Sequence, residues 1–216
     1  MPVKTDKREY RKFEGMEVRA AEDGAKVVEG YATTFNQPYQ LWRDRDITVN
    51  EQVDPRAFDE TDMSDVIMQY DHEGRVFARI SNGTLRLEAD DHGLKVVADL
   101  GGTEIGRQLF EEINGGYTNK MSFGFTVTGQ EKKRTEEDGH VTILRTITKI
   151  GKLYDVSAVS LPANDATEIS SRTIGNGLIA EAMKEVQAEE ERQRKEQQIL
   201  EIRKLLNMED ENHEDA

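Results

Sequence analysis

The 216 residues contain no cysteine, far fewer basic than acidic side chains (29 Lys and Arg against 43 Asp and Glu), and no long apolar run. Without cysteine there can be no disulfide, no thiolate zinc site and no thiol nucleophile. No apolar stretch approaches the ~20 residues that a membrane span needs. The opening Met1-Pro2-Val3-Lys4 leads straight into charged sequence, which reads against a secretory signal and for a soluble intracellular protein. The formal net charge of −14 disfavours duplex DNA or an anionic membrane as main partner, because both attract positive charge. A protein substrate, or co-packaging with basic surfaces, suits the charge better. Two further absences matter: no internal repeat is visible, and no histidine has the spacing of a metal-ligand pair.

Hydrophobic residues make up 36% of the chain and charged residues 33%, more polar than a compact globule usually is. The excess lies at the C-terminus, so the first three-quarters can still bury a core. Residues 13–35 read as a β-hairpin: Met16, Val18 and Ala20 alternate with polar residues, Glu22-Asp23-Gly24 makes a turn, and Val27 to Phe35 returns. A loop through Asn36-Gln37-Pro38 and Trp42 leads to Asp54-Pro55. Asp54 suits an N-cap and Pro55 a first helical position, which predicts a short helix there. Short strands are expected at Val66 to Tyr70, Phe77 to Ile80, Thr84 to Glu88 and Leu94 to Leu100, set apart by the turn-forming Asn82-Gly83 and Asp90-Asp91-His92-Gly93. Ile105, Leu109 and Ile113, four apart between Thr103 and Gly115-Gly116, mark a helix with its cap and stop.

Strands at Met121 to Thr128 and Val141 to Ile150 follow, joined by the very polar stretch Glu131 to Gly139. A last strand runs from Lys152 to Leu161 and ends at Pro162. The expected fold is α+β: a mostly antiparallel β-barrel or half-barrel with a few short helices. The expected organisation is a flexible N-terminus over 1–12, a body over 13–170 and a charged helical tail over 171–216. Residues 181–216 carry twelve acidic and six basic side chains and favour helix, but they lack a continuous heptad seam.

Three positions on separate strands could carry chemistry. Ser122 lies in Met121-Ser122-Phe123-Gly124-Phe125. Alternation turns Met121, Phe123 and Phe125 inward and Ser122 and Gly124 the other way. Gly124 would leave room beside the hydroxyl for a substrate backbone, and the Asn114-Gly115-Gly116 loop could bring amide N–H groups near. His72 closes the strand that ends Tyr70-Asp71-His72. Asp155 stands just inside an apolar strand, where a carboxylate is expensive to bury without a partner such as an imidazole N–H. A serine hydroxyl is a poor nucleophile at neutral pH unless a base accepts its proton and a third group orients that base. Plainer readings stand beside these: Ser122 as an outward polar residue, His72 as an exposed turn residue, and Asp155 as a solvated edge position or the ion-pair partner of Lys152. Ser157 and Ser160 are rival nucleophiles without an adjoining glycine. His92, His140 and His213 are weaker candidates for the base.

The strand ending in Asp71-His72, the strand Ser122-Phe123-Gly124-Phe125, and the run Leu153-Tyr154-Asp155-Val156-Ser157-Ala158-Val159-Ser160-Leu161-Pro162-Ala163-Asn164 together resemble the prohead (capsid maturation) serine proteases of HK97-type tailed phages. Those proteases are similar in fold and motif order to the herpesvirus assemblins. The resemblance covers roughly residues 13–170. It implies His72 as general base, Ser122 as nucleophile and Asp155 as the residue that orients the base, a place where the assemblins carry a second histidine and many phage relatives a glutamate. It implies a serine endopeptidase that needs no metal or organic cofactor. The implied substrates are the scaffold segment of the major capsid protein and the protease itself, in the host cytoplasm and the interior of the procapsid. A homodimer is possible; nucleic acid and membrane are not expected partners. The acidic tail would then be a targeting or self-processing segment. Two other classes fit the residues less well: a non-catalytic scaffolding protein that keeps the protease-like body, and a β-barrel esterase with a deep apolar pocket.

Overall fold

A computed structural model describes residues 8–14, 16–17, 25–159 and, further on, 183–184, 187–188, 191–192 and 194–201. The chain divides into two compact units, Met1–Gly175 and Asn176–Ala216. In the second unit the described residues are helical and exposed, as a charged sequence of good helix formers requires. Among the described residues no helix is long and apolar enough to cross a membrane.

Among the described residues the first unit contains eleven strands, written here β1 (Glu9–Glu14), β2 (Met16–Glu17), β3 (Val27–Thr34), β4 (Tyr39–Arg43), β5 (Ile47–Val53), β6 (Ile67–Tyr70), β7 (Glu73–Arg79), β8 (Leu85–Ala89), β9 (Gly93–Asp99), β10 (Lys120–Glu137) and β11 (His140–Val159), one α-helix, α1 (Glu104–Asn114), and a short 3-10 helix, Ile80–Asn82. They form two sheets. One runs β1-β10-β11-β5-β4 with β6 and β7 added beside β11; the other runs β2-β3-β9-β8. Of the expected barrel or half-barrel, the closed barrel is not formed: β1 pairs with β10 and β4 with β5 at the two ends of the strand order, and the larger sheet stays open. Nor is the pairing antiparallel throughout. The first half of β11 lies parallel to β5 and its second half parallel to β6, so one long strand serves as the spine for both neighbours.

Three differences from the sequence expectation have local causes. The segment after Asp54 is a series of turns and not a helix. Asp54 does cap, accepting from the N–H of Arg56 at 2.8 Å. The Ala57 carbonyl, however, accepts from the Ile150 N–H at 2.9 Å and the Thr61 hydroxyl at 3.2 Å, so it serves β11 where a helix would bond it to a backbone N–H one turn on. The polar stretch Glu131 to Glu137 is strand, the exposed outer half of β10, paired down to Glu137 opposite His140. The two-residue Asp138-Gly139 turn between them has φ of 51° and 77°, the left-handed pair of a tight hairpin. Finally, β1 begins at Glu9, inside the segment expected to be flexible, and pairs with β10 from Glu9↔Phe125 to Glu14↔Lys120. The expected turn at Glu22-Asp23-Gly24 and the residues from Ser160 through Asn164 lie outside the described residues.

Helix α1 follows the sequence closely. Thr103 accepts from the Gly106 N–H at 3.0 Å, and Leu109, Phe110 and Ile113 are buried. The core gathers Phe35, Phe58, Met68, Leu94, Leu100, Met121, Phe123, Phe125, Ile147, Ile150 and Leu153, with Phe123 and Phe125 stacked at 4.3 Å between ring centroids.

At the other end of the sheet, the inward positions are ionic. Glu51 (β5) is 0% exposed. It receives Arg11 (β1) through Nε and, at 2.9 Å, through Nη2. It also receives Arg145 (β11) through Nη1 and the Tyr39 hydroxyl at 2.5 Å. Glu9 completes the set, bonding Arg11 at 2.7 Å and Arg145 at 2.7 and 3.0 Å, while Gln130 accepts from Arg145 Nε at 2.7 Å. Two guanidinium groups thus face two carboxylates. Among the described residues no buried side-chain nitrogen or oxygen lacks a partner. Burial alone pushes the Glu51 carboxyl up, but Arg11 and Arg145 outweigh it and hold it below its ordinary value. Burial, reinforced by Glu51, pushes the Tyr39 phenol well above its own.

Removing one partner from such a set strands the others' charge out of water. Arg145→Met is therefore expected to destabilise the fold by about 3–5 kcal/mol, measured by chemical denaturation. Because the folded pKa of Glu51 is depressed, its contribution is complete above its ordinary value of 4.5 and is lost as pH falls below it. The thermal midpoint should drop on acidification from pH 5 to 3, and less steeply in Glu51→Gln.

Candidate active site

The turn between β6 and β7 contains only Asp71 and His72, because Tyr70 pairs with Glu73. Both central residues are left-handed, with φ of 48° and 62°. Such a turn usually places glycine second, so a histidine there stores backbone strain of order 1–3 kcal/mol. The hairpin is tied down by the Asp71 N–H, which donates to the Ala158 carbonyl at 2.9 Å. His72 is thereby aimed at the sheet, with its side chain only 14% exposed.

There the imidazole meets both other predicted residues. Its Nδ1–H donates to Asp155 Oδ1, and its Nε2 accepts from the Ser122 hydroxyl at 2.5 Å. The carboxylate fixes the tautomer that leaves Nε2 basic. The structure thus brings His72, Ser122 and Asp155 into one line of hydrogen bonds. Aspartate reaches the imidazole from β11 because Asp155 pairs across from Gly124, two residues beyond Ser122 on the same face of β10. Lys152 does not compete for it: Lys152 pairs with Asp62 at 2.7 Å.

The sequence missed or misread several neighbours. Gly124 does not leave a slot for a substrate. A Cβ there would press into Asp155 Oδ2 and lie 2.8 Å from Tyr10 Cε1, so the missing side chain makes room for the carboxylate and the ring. Ser157, read as a rival nucleophile, is 0% exposed and donates from Oγ to Asp155 Oδ1 at 3.2 Å. It sits opposite Ser122 in the β10–β11 register and is a second anchor for the carboxylate; Ser160 lies outside the described residues. The amides of the Gly115-Gly116 loop do not point to a reacting oxygen, since Gly115 N–H donates to Glu111 O at 2.8 Å and Gly116 N–H to Ile113 O at 2.9 Å, ending α1. Tyr10, within the N-terminal segment expected to be flexible, has its ring centroid 4.4 Å from that of His72. The other described histidines pin turns: His140 bridges Thr48 Oγ1 and the Arg45 carbonyl, and His92 packs edge-on against Tyr31.

A hydroxyl hydrogen-bonded to an imidazole that is itself held by a buried carboxylate can be deprotonated as it attacks an electrophile. Ser122 is 0% exposed, so its hydroxyl is out of reach of solvent in the described conformation. Among the described residues no group of three or more histidine, aspartate or glutamate side chains could hold a metal ion.

The family model described as Caudovirus prohead serine protease matches residues 14–202. No curated protein and no solved structure matches the chain.

The notch at Gly124 is testable by itself. Gly124→Ala should drive the Asp155 carboxylate off the imidazole and abolish the downfield proton resonance of His72 Nδ1–H, with the secondary structure by circular dichroism kept. An unshifted resonance in the variant would show that the sheet absorbs a methyl group there.

Proposed function

The chain belongs to the caudovirus prohead serine protease family, and from that premise we propose that it is an endopeptidase cutting the scaffold segment of the major capsid protein, and itself, inside an assembling procapsid. The single observation that carries the reading is the hydrogen-bonded line Ser122–His72–Asp155. Ser122 Oγ attacks the scissile carbonyl while His72 Nε2 takes its proton. The imidazolium so formed is stabilised by Asp155 and then protonates the leaving amine. Water, deprotonated by the same imidazole, releases the acyl group. Every proton moves through one ring, so no metal or organic cofactor enters. The charged tail is itself a substrate on this reading.

The burial of Ser122 has a meaning for such an enzyme. A peptide carbonyl reaches Oγ only after whatever covers it is displaced, so a closed resting state keeps proteolysis silent until substrate is concentrated around it. The same burial is what favours a second reading, a scaffolding protein that retains the relay without using it. The two readings part on one experiment: coexpression with the capsid protein, comparing the native chain with Ser122→Ala on a gel. Loss of capsid-protein cleavage and of any shortening of the chain itself is expected in the variant, with particles still assembled and the rate down by about 10⁴ or more. Unchanged processing in Ser122→Ala would exclude this serine as the nucleophile.

A further inference from the structure

The ring that walls His72 comes from outside the stretch matched to the family, which begins at residue 14. Strand β1 carries it between two anchors. Glu9 and Arg11 point to the ionic side of the sheet, where both are buried and joined to Glu51 and Arg145. Alternation then forces Tyr10 to the opposite face, the face of Ser122, Gly124 and Asp155. Register puts Tyr10 directly across from Gly124, and the absent side chain of Gly124 lets the ring sink until Cε1 lies 2.8 Å from where a Cβ would be. The outcome is a tilted ring–ring contact, 4.4 Å between centroids and 60° between planes.

We propose that Tyr10 is a positioning residue for His72: its ring stops the imidazole from rotating out of the line between Asp155 and Ser122 and keeps water from the Nδ1–H···carboxylate bond. This rests on the reading of the trio as catalytic. Register supports a wall and not a cover, because Tyr10 stands across from Gly124 while Ser122 pairs with Lys12; the ring therefore guards the base and carboxylate end of the relay. The contact is between the two rings and needs no phenolic oxygen. A base held in one rotamer needs no reorganisation when the serine attacks, and a misplacement of about 1 Å can cost about 100-fold in rate.

The test uses the full chain with Tyr10→Phe, Tyr10→Leu and Tyr10→Ala, and two readouts: the rate at which a fluorophosphonate probe modifies Ser122, and the downfield Nδ1–H resonance of His72, assigned by its loss in His72→Gln. Tyr10→Phe should match the native chain within about twofold in both. Tyr10→Ala should react about tenfold or more slowly, with the resonance broadened by solvent exchange. Tyr10→Leu, which keeps apolar bulk on β1, should do the same and serves if the alanine variant does not fold. Native rates and an intact resonance in the leucine and alanine variants would overturn the proposal; so would failure of phenylalanine to substitute, or faster labelling in Tyr10→Ala, which would make the ring a cover over the nucleophile. Should the native chain neither react with the probe nor cleave capsid protein while the resonance still depends on Tyr10 as expected, the wall stands and the protease reading falls. Native reactivity with no dependence on Tyr10 gives the converse.

Discussion

A carboxylate wholly removed from water governs how the larger sheet is assembled. Glu51 is 0% exposed, and an isolated charge in that place would be too costly to keep. It is tolerated because Arg11 comes from β1, Arg145 from β11 and Tyr39 from β4. Each strand that reaches this point therefore has one acceptable register, since a slip by a single residue would turn its ionic side chain to the other face. Apolar packing tolerates small slips better than a bidentate guanidinium does. The set consequently specifies which strands neighbour one another as much as it adds stability. By fixing β1 through Glu9 and Arg11, it also fixes Tyr10 on the face where His72 lies.

The relay is built at the other face of those strands by combining weak local preferences. His72 occupies a left-handed position that glycine would fill at lower cost, and Gly124 occupies a strand interior, where glycine is intrinsically unfavourable. Each is locally unfavourable and each is explained by the same object, the Asp155 carboxylate. The left-handed turn aims the imidazole at it, and the missing Cβ opens the space it fills. Ser157 then supplies a further donor to the oxygen that His72 already uses. Departures from local preference converging on one buried group are the pattern expected of a functional site in an otherwise consistent sequence.

What could be read in advance follows the range of the interactions. Helix α1, the Asn82-Gly83 turn and the alternation of Met121, Phe123 and Phe125 are decided within a few residues, and the structure has them. The trio of His72, Ser122 and Asp155 was legible from three short motifs. Their meeting was not, since it depends on β11 taking β10 on one side and β6 on the other. Strands β4 and β5 carry a weaker signal: Ile47, Val49 and Val53 alternate, but Glu51 occupies the inward position between Val49 and Val53 and reads as solvent-facing. The outer half of β10 was misread for the converse reason. Its side chains are exposed, so only the Asp138-Gly139 dipeptide signalled a hairpin. Tyr10 had no local signal, since its ring meets His72 and Gly124, which the fold brings in from distant positions.

Two kinds of burial meet in this molecule, and they act in opposite directions on function. The ionic set around Glu51 is dry and fully paired, so nothing is gained by opening it; it holds β1 at the resting sheet. The serine is equally dry, but its hydroxyl donates to an imidazole; on the proposed reading that imidazole takes the proton as Oγ bonds a carbonyl carbon, and no charge is left stranded because Asp155 remains to balance it. Displacing β1, by contrast, would break the ion pairs of Glu9 and Arg11. On the proposed reading a peptide therefore enters while β1, with Tyr10, stays in place, and the imidazole of His72 is still aligned when the Ser122 hydroxyl is uncovered.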